Sequence, residues 1–314
     1  MLKPKQQHSN LGLPVVQELS ATAKASLQTG IQRFSAQATY STQVQHDCLA
    51  IEEPLQLSLQ WFCQRTNQYQ QRPLSLTMRT PGNDVALVLG FLQSQNIIES
   101  LNDIDDIRFA QGAAAAQVED YNHLEIQLNR QRQFDWAALE RNFASYSSCG
   151  LCGASSVKAL ALNQQPELNM QEEWLAASLI YQLPSLLQEH QPLFKQSGAV
   201  HGVGVWADGK FLSVAEDIGR HNALDKALGQ LLLESQQAAC SVLVLSGRVS
   251  FELMQKALIA NIPVVVAVGA PSSLALSVAK QFNITLIGFT KDSQFNVYHA
   301  PWRISKEGGS QHES

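Results

Sequence analysis

Cys149 and Cys152 frame a Cys-Gly-Leu-Cys run inside SYSSCGLCGASS, a stretch of small and polar residues with a single Leu. Two thiols three residues apart, in a glycine-bearing loop ahead of a helix, favour a reactive thiolate, because backbone N–H groups at a helix start stabilise the anion and lower the thiol pKa. Such a pair can carry a persulfide, exchange a disulfide or bind a metal, or it can simply be two small residues in a tight turn. A thioredoxin-like pair would sit after an early strand of a small domain, and this one lies mid-chain. A structural zinc site needs four ligands at close spacing, whereas the other cysteines are single and the histidines scattered. The zinc-deaminase signature places H-x-E before P-C-x-x-C. Here His201-Gly202-Val203 lacks the Glu and follows the cysteines, which disfavours deamination.

Two further constellations could serve such a thiol. AEDIGRHNALDKALG (215–229) crowds Glu216, Asp217, Arg220, His221, Asn222 and Asp225 into ten positions, dense enough for an anion or polar-group site, with a solvated charged face as the competing reading. Asp217 is expected to cap the helix and Gly219 to admit a ligand close to the backbone. The second constellation is three loops, SGRVSFE (246–252), GAPSSLA (269–275) and GFTKDSQ (288–294), where small residues offer N–H groups to phosphate and Arg248 and Lys291 supply charge. None matches a Walker A loop or G-x-G-x-x-G, so ordinary ATP or NAD chemistry is not supported. His201 reads equally as a core or a catalytic histidine. Cys48, Cys63 and Cys240 read as inert core thiols.

The elements that must position these residues follow from periodicity. Residues 1–45 are expected to be a disordered polar leader with a weak helix near Leu19–Thr29. Residues 46–145 predict a mixed α+β subdomain: an edge strand in LAIEEPLQLSLQWF, a strand at 73–78, a helix after TPGND capped by Asn83 or Asp84, and strands at 104–110 and 122–129. Residues 146–305 predict an α/β core, with a helix at 170–188 and paired strands GAVHGVGVW and FLSVAED. The helix 223–235 follows, then strand, helix, strand, helix, strand through SVLVLSG, FELMQKALIA, PVVVAVG, SSLALSVAKQF and ITLIGF. Short connections of this kind make a parallel sheet whose strand carboxyl ends form one ligand-facing rim. Residues 306–314 are expected to be a disordered tail.

Composition bounds the rest. A net charge of −5 over 314 residues argues against a general nucleic-acid binder. No run approaches the roughly 18 apolar residues of a membrane span. An N-terminus without an apolar segment or cleavage site predicts no export. Five cysteines are no disulfide framework.

Taken in order, IEEPLQLSL, MRTPGNDVALVLGFLQSQNII, SSCGLCGASS, SGAVHGVGVW, EDIGRHNALDKALG, SGRVSFELMQKAL, IPVVVAVGAPSSLALSVAKQFNITLIGF and NVYHAPWRI resemble the FdhD family over nearly all of residues 50–304. These are sulfur carriers needed for active formate dehydrogenase. Where the family shows T-G-G-x-H-A, this chain has Ser197-Gly198-Ala199-Val200-His201-Gly202. The resemblance implies a cytidine-deaminase-like α/β core, a homodimer and a cytoplasmic home. It implies that a cysteine desulfurase loads sulfur onto Cys149 as a persulfide, assisted by Cys152. The acceptor would be the molybdenum of bis-molybdopterin guanine dinucleotide, bound by Phe289, Thr290, Lys291, Asp292, Ser293 and Gln294 with Arg220 and His221, before insertion into formate dehydrogenase. No tightly bound metal is expected. The alternative is a non-catalytic chaperone that binds and delivers the cofactor.

Overall fold

A computed structural model of the protein describes residues 25–31, 45–111, 119–137, 139–140, 168–236 and 241–306. Cys149, Cys152 and Cys240 lie outside the described residues.

The first unit is a four-stranded sheet of β3 (Glu53–Cys63), β4 (Gln68–Arg79), β5 (Ile104–Gln111) and β6 (Glu119–Leu128), in the order β4-β3-β6-β5. Along β3, Leu55, Leu57, Leu59 and Trp61 alternate into the interior, the period-2 pattern of a half-covered strand. The cover is α1 (Asp84–Ser94), which buries Leu87, Val88, Leu89 and Leu92. The strand expected at 73–78 is the end of a longer hairpin in which β3 and β4 pair from Glu53↔Arg79 to Cys63↔Gln68. Asn83 is the N-cap with φ 55° but makes no side-chain cap bond. Asp84 instead meets Arg79, Oδ1 and Oδ2 accepting from Nε and Nη2 at 3.0 and 3.1 Å.

Ahead of this sheet, β1 (Ser26–Ile31) and β2 (Gln45–Ala50) form an antiparallel pair, and β2 lies against α3 (Pro192–Ser197). The weak helix expected near Leu19–Thr29 is therefore a strand over its last residues. SLQTGI carries β-branched Thr29 and Ile31 two apart, which suits a pleated pairing better than a helical turn. Cys48 and Cys63 are both partly exposed free thiols rather than core residues. Thr66, by side-chain and then backbone hydrogen bonds, holds the Cys63 thiol below its ordinary range.

The second unit is a six-stranded sheet in the order β13-β12-β11-β10-β8-β9. Its strands are β8 (His201–Ala207), β9 (Lys210–Asp217), β10 (Val242–Leu245), β11 (Val264–Ala267), β12 (Thr285–Lys291) and β13 (Gln294–His299). The central β10, β11 and β12 run parallel, and β8, β9 and β13 flank them antiparallel. VLVL and VVVA are buried throughout, as strands covered on both faces must be. Alternate residues pack against α4 (Arg220–Leu233), α5 (Phe251–Ile259) and α6 (Ser273–Phe282) on one side. The others meet α2 (Ala177–Glu189) on the opposite side. The fold is mixed α/β, with the expected strand-helix alternation from β10 to β12.

Two boundaries differ from expectation. The helix read from 170 begins at Ala177, because Leu175–Ala176 (β7) pairs in parallel with Ile304–Ser305 (β14). Residues 288–294 are not a terminal loop. They are the tip of the β12–β13 hairpin, with the register broken between Gly288 and Lys291.

Glycines join the two units. α1 and α4 cross so closely that a Cβ on Gly90 would run into the Asp225 carbonyl, and one on Gly229 into the Ala86 carbonyl. Beside this crossing Lys256 Nζ donates to both Asp225 oxygens, at 2.6 and 2.7 Å, and to Ser94 Oγ at 2.9 Å. At the start of α4, buried Asp217 faces Lys226 Nζ at 2.7 Å.

Candidate functional site

The carboxyl ends of β10, β11 and β12 are laced together. Gly269 N–H donates to the Gly247 carbonyl at 3.0 Å, and Phe289 N–H to the Gly269 carbonyl at 3.2 Å. A Cβ on Gly269 would stand 2.8 Å from Arg248 N and the Gly247 carbonyl, and one on Gly288 would stand 3.0 Å from the Gly269 oxygen. The three loops do form one rim, as expected. Their helix starts are another matter. Ser250 caps α5 by accepting from Leu253 N, and Ser272 caps α6 by accepting from Ala275 N. Those N–H groups are spent within the protein and do not wait for phosphate.

Beside the rim lies a cleft of about 670 Å³, inside the range of about 300–1,000 Å³ usual for small-molecule sites. One wall is the end of α2 and the start of the next helix: Pro184, Leu187, Gln188, Gln191 and Phe194. His201, at the start of β8, and Ser246 form the floor, and Thr290, Lys291 and Asp292 the far side. Ser246 Oγ accepts from Gly202 N at 2.9 Å, which fixes β8 against β10 at the floor. The hairpin tip is shaped by Phe289, whose φ of 53° is left-handed. This irregularity in the ladder turns Phe289 outward, 43% exposed, and Thr290 inward, 1% exposed.

Charge gathers at one end. Gly247 separates the His201 ring from Arg220: a Cβ there would lie 3.3 Å from His201 Nδ1 and 3.5 Å from Arg220 Cδ. Burial, then the positive fields of Arg220 and Arg248, hold His201 below its ordinary pKa, against a smaller opposing pull from Asp217. The imidazole is thus neutral at physiological pH beside two guanidinium groups. His221 faces away into its own cluster, with Nε2 2.8 Å from Glu252 Oε2 and 3.4 Å from Ser250 Oγ. The hydrogen bond from His221 holds Glu252 below the usual carboxylate range.

Asp217 does not cap α4 in the manner expected. Gly219 is the N-cap, and Asp217 Oδ1 accepts from Gly219 N at 2.8 Å and Asn222 Nδ2 at 3.2 Å, while Oδ2 accepts from Thr80 N at 3.1 Å. Asn222 in turn donates to the Met78 carbonyl at 2.7 Å. The segment read as a ligand-binding surface is therefore partly a joint that clamps Arg220 to the first unit. Glu216 has a similar local task, accepting from Leu193 N and Phe194 N at 2.9 and 2.7 Å and so holding the start of α3 at the cleft wall.

Of the expected binding residues, Thr290, Lys291 and Asp292 line the cleft, and Arg220 lies behind Gly247, outside the lining, where its charge acts on His201. Phe289 and Ser293–Gln294 lie on the exposed tip of the same hairpin, and His221 points into the Glu252 cluster. Sequence reading missed Gln191. It is 3% exposed, and its Nε2 has no hydrogen-bond partner among the described residues; Thr290 Oγ1 is in the same position. A buried polar group left this way costs roughly 1–3 kcal/mol. Among the described residues no cluster of three or more His, Cys, Asp or Glu is arranged to hold a metal ion, and no helix is long and apolar enough to cross a membrane.

Comparison with known proteins places this geometry. A profile of the FdhD/NarQ family matches residues 50–305. The sulfur carrier protein FdhD of Streptomyces coelicolor is 38% identical over 262 residues, 82% of this chain and 89% of that one. The protein of the same name from Picrophilus torridus is 35% identical over 260 residues, 82% of this chain and 92% of its own. A crystal structure described as a formate dehydrogenase accessory protein, from Desulfotalea psychrophila, superposes with a TM-score of 0.64 over 89% of this chain and 99% of that one. At 24% identity it speaks for the fold alone. With its matched span running through both sheets and across the Cys149–Cys152 pair, the chain belongs to the FdhD/NarQ family.

Proposed function

We propose that the protein is a sulfur carrier for formate dehydrogenase, working between a cysteine desulfurase and the molybdenum cofactor. The observation that carries the reading is the cleft itself, lined by the neutral Gln191 and Thr290 and by Lys291, with the positive fields of Arg220 and Arg248 reaching its His201. A guanine dinucleotide cofactor presents the matching parts, an uncharged heterocycle and a diphosphate. Curated relatives carrying the name sulfur carrier protein support the same reading.

In the loading step the Cys149 thiolate attacks the outer sulfur of the desulfurase persulfide. A new S–S bond forms on Cys149 and the desulfurase cysteine leaves as its thiolate. Delivery breaks the new bond. The outer sulfur passes to the reduced metal of the cofactor, which supplies the electron pair, and Cys149 returns as thiolate with Cys152 assisting. The neutral His201 can take a proton in this setting, since burial and then its two arginine neighbours keep it unprotonated until an anion offsets their charge. A cytidine-deaminase-like core, a homodimer and a cytoplasmic location complete the reading.

The test is mass spectrometry of the full chain after incubation with a cysteine desulfurase and cysteine. One added sulfur atom on the 149–152 peptide, lost in Cys149→Ala together with formate dehydrogenase activity in a strain lacking its own accessory protein, is the expected result. Full activity from Cys149→Ala refutes carriage through that thiol. A chain that binds cofactor but never gains sulfur is a delivery chaperone.

A further inference from the structure

We infer that Gln191 reads the uncharged end of the cleft's ligand, donating from Nε2 to a ring carbonyl or ring nitrogen, with Thr290 Oγ1 as the second neutral donor. The inference rests on the cofactor reading above and assigns the ligand its direction in the cleft.

Gln191 sits in the short link between α2 and α3, and its backbone is fixed at both ends. Its N–H donates to the Gln188 carbonyl at 3.2 Å, and its carbonyl accepts from Lys195 N at 3.1 Å. The side chain is fixed as well. It lies over Gly202, where a Cβ would overlap the carboxamide, so the absence of a side chain on β8 is what makes room for it. A carboxamide so placed, facing a cleft walled by Leu187 and Phe194, is destabilising to the free protein. It is stabilised by any ligand that brings an acceptor. Thr290, turned inward by the left-handed Phe289, faces the same cleft with the same deficit.

Charge decides which part of the ligand lies here. Diphosphate is drawn to Lys291 and to the positive fields of Arg220 and Arg248 at His201, and neither Gln191 nor Thr290 carries charge to hold it. Two neutral donors suit a heterocycle edge rich in acceptors, such as the O6 and N7 of guanine.

The experiment is isothermal titration of the full chain with GDP and, separately, with inorganic pyrophosphate, on the wild type, Gln191→Leu and Gly202→Ala. For Gln191→Leu we expect GDP affinity to fall about tenfold, near 1.4 kcal/mol. Pyrophosphate affinity should stay within about twofold of wild type. The ligand-free melting temperature should hold or rise, since an unpartnered donor has been removed. Gly202→Ala leaves the amide present but displaces it, and should weaken GDP in the same direction. Unchanged GDP affinity in Gln191→Leu overturns the assignment, as does an equal loss of GDP and pyrophosphate, or a lower ligand-free melting temperature, which would mark a structural role. A wild-type chain that binds neither probe removes the cofactor reading and this one with it. A wild type that binds GDP beside an equally tight Gln191→Leu removes this one alone.

Discussion

Asp217 is the buried charge on which the placement of the start of α4 turns, and the substitution Asp217→Asn removes it. Asp217 is 0% exposed and Lys226 2% exposed, with 2.7 Å between their charged atoms. A carboxamide at this position keeps one oxygen, which in place of Oδ1 still accepts from Gly219 and Asn222, while its NH2 then faces the Thr80 N–H and Lys226. What is lost is the counter-charge together with the Thr80 bond. Lys226 would be left as a buried ammonium that, among the described residues, keeps the Thr80 carbonyl at 2.7 Å as its hydrogen-bond acceptor. Removing one partner of a buried ion pair costs roughly 3–5 kcal/mol, several times the roughly 1 kcal/mol of a single neutral hydrogen bond. At roughly 2–4 °C per kcal/mol for chains of this size, the melting temperature should fall by roughly 6–20 °C. Calorimetry of the ligand-free chain reads this directly. The diagnostic arm is Asp217→Asn combined with Lys226→Met, which removes the stranded cation and should recover much of the loss. Strict additivity of the two single substitutions, or a loss near 1 kcal/mol for Asp217→Asn, would show that the pair is solvated and the reasoning wrong.

The other expectations concern protons and packing. Because the folded pKa of His201 lies below its ordinary value, and that of His299 does too, the unfolded chain binds more protons once pH drops through about 6.5. Stability should be full above that pH and decline below it, and urea unfolding at about pH 5.5 against about pH 7.5 should show a smaller decline in His201→Gln; an unchanged profile refutes the assignment. Pyrophosphate in the cleft should offset the arginines and draw a proton onto His201, seen as a buffer-dependent heat of binding that disappears in His201→Gln. In Gly229→Ala the added methyl meets the Ala86 carbonyl, and overpacking of roughly 1–3 kcal/mol should exceed the gain of about 1 kcal/mol in helix propensity. A variant as stable as wild type in denaturant titration would show that α1 and α4 can separate at no cost.

The parts of this fold that were legible in sequence are those where one residue type has one reason to be present. VLVL and VVVA, each ended by a small residue, fit only strands buried on both faces, and the strand-helix alternation that follows allows few topologies. The hairpin tip was not legible, because its key feature is a left-handed Phe289, at a residue type that gives no sign of that conformation. Asp217 has the look of a helix cap, being a carboxylate three residues before the helix. Its partner Thr80 lies 137 residues earlier in the chain, and no local pattern records it. Gln191, within QEHQPLFKQ, looks like any solvated polar residue. Only the strand Gly202, brought alongside by the fold, turns it into a buried donor.

The same non-local wiring explains why a family of sulfur carriers would need its first unit at all. Part of the positive field on the cleft's His201 comes from Arg220 of α4, yet the residues that fix the start of α4 belong to β4 and the turn after it: Thr77 and Met78 hold Asn222, and Thr80 holds Asp217 and Lys226. Arg79, one position away and 1% exposed, ties that turn to Asp84, the Glu53 carbonyl and the Tyr121 carbonyl. Arg220 is therefore positioned by a chain of short hydrogen bonds that begins in one sheet and ends at the rim of the other. The two units cannot shift against each other without breaking the bonds from Thr80 to Asp217 and Lys226 and from Asn222 to the Met78 carbonyl. The dinucleotide proposed for this cleft would be well served by such a joint, since it fixes the place of Arg220 before any ligand arrives.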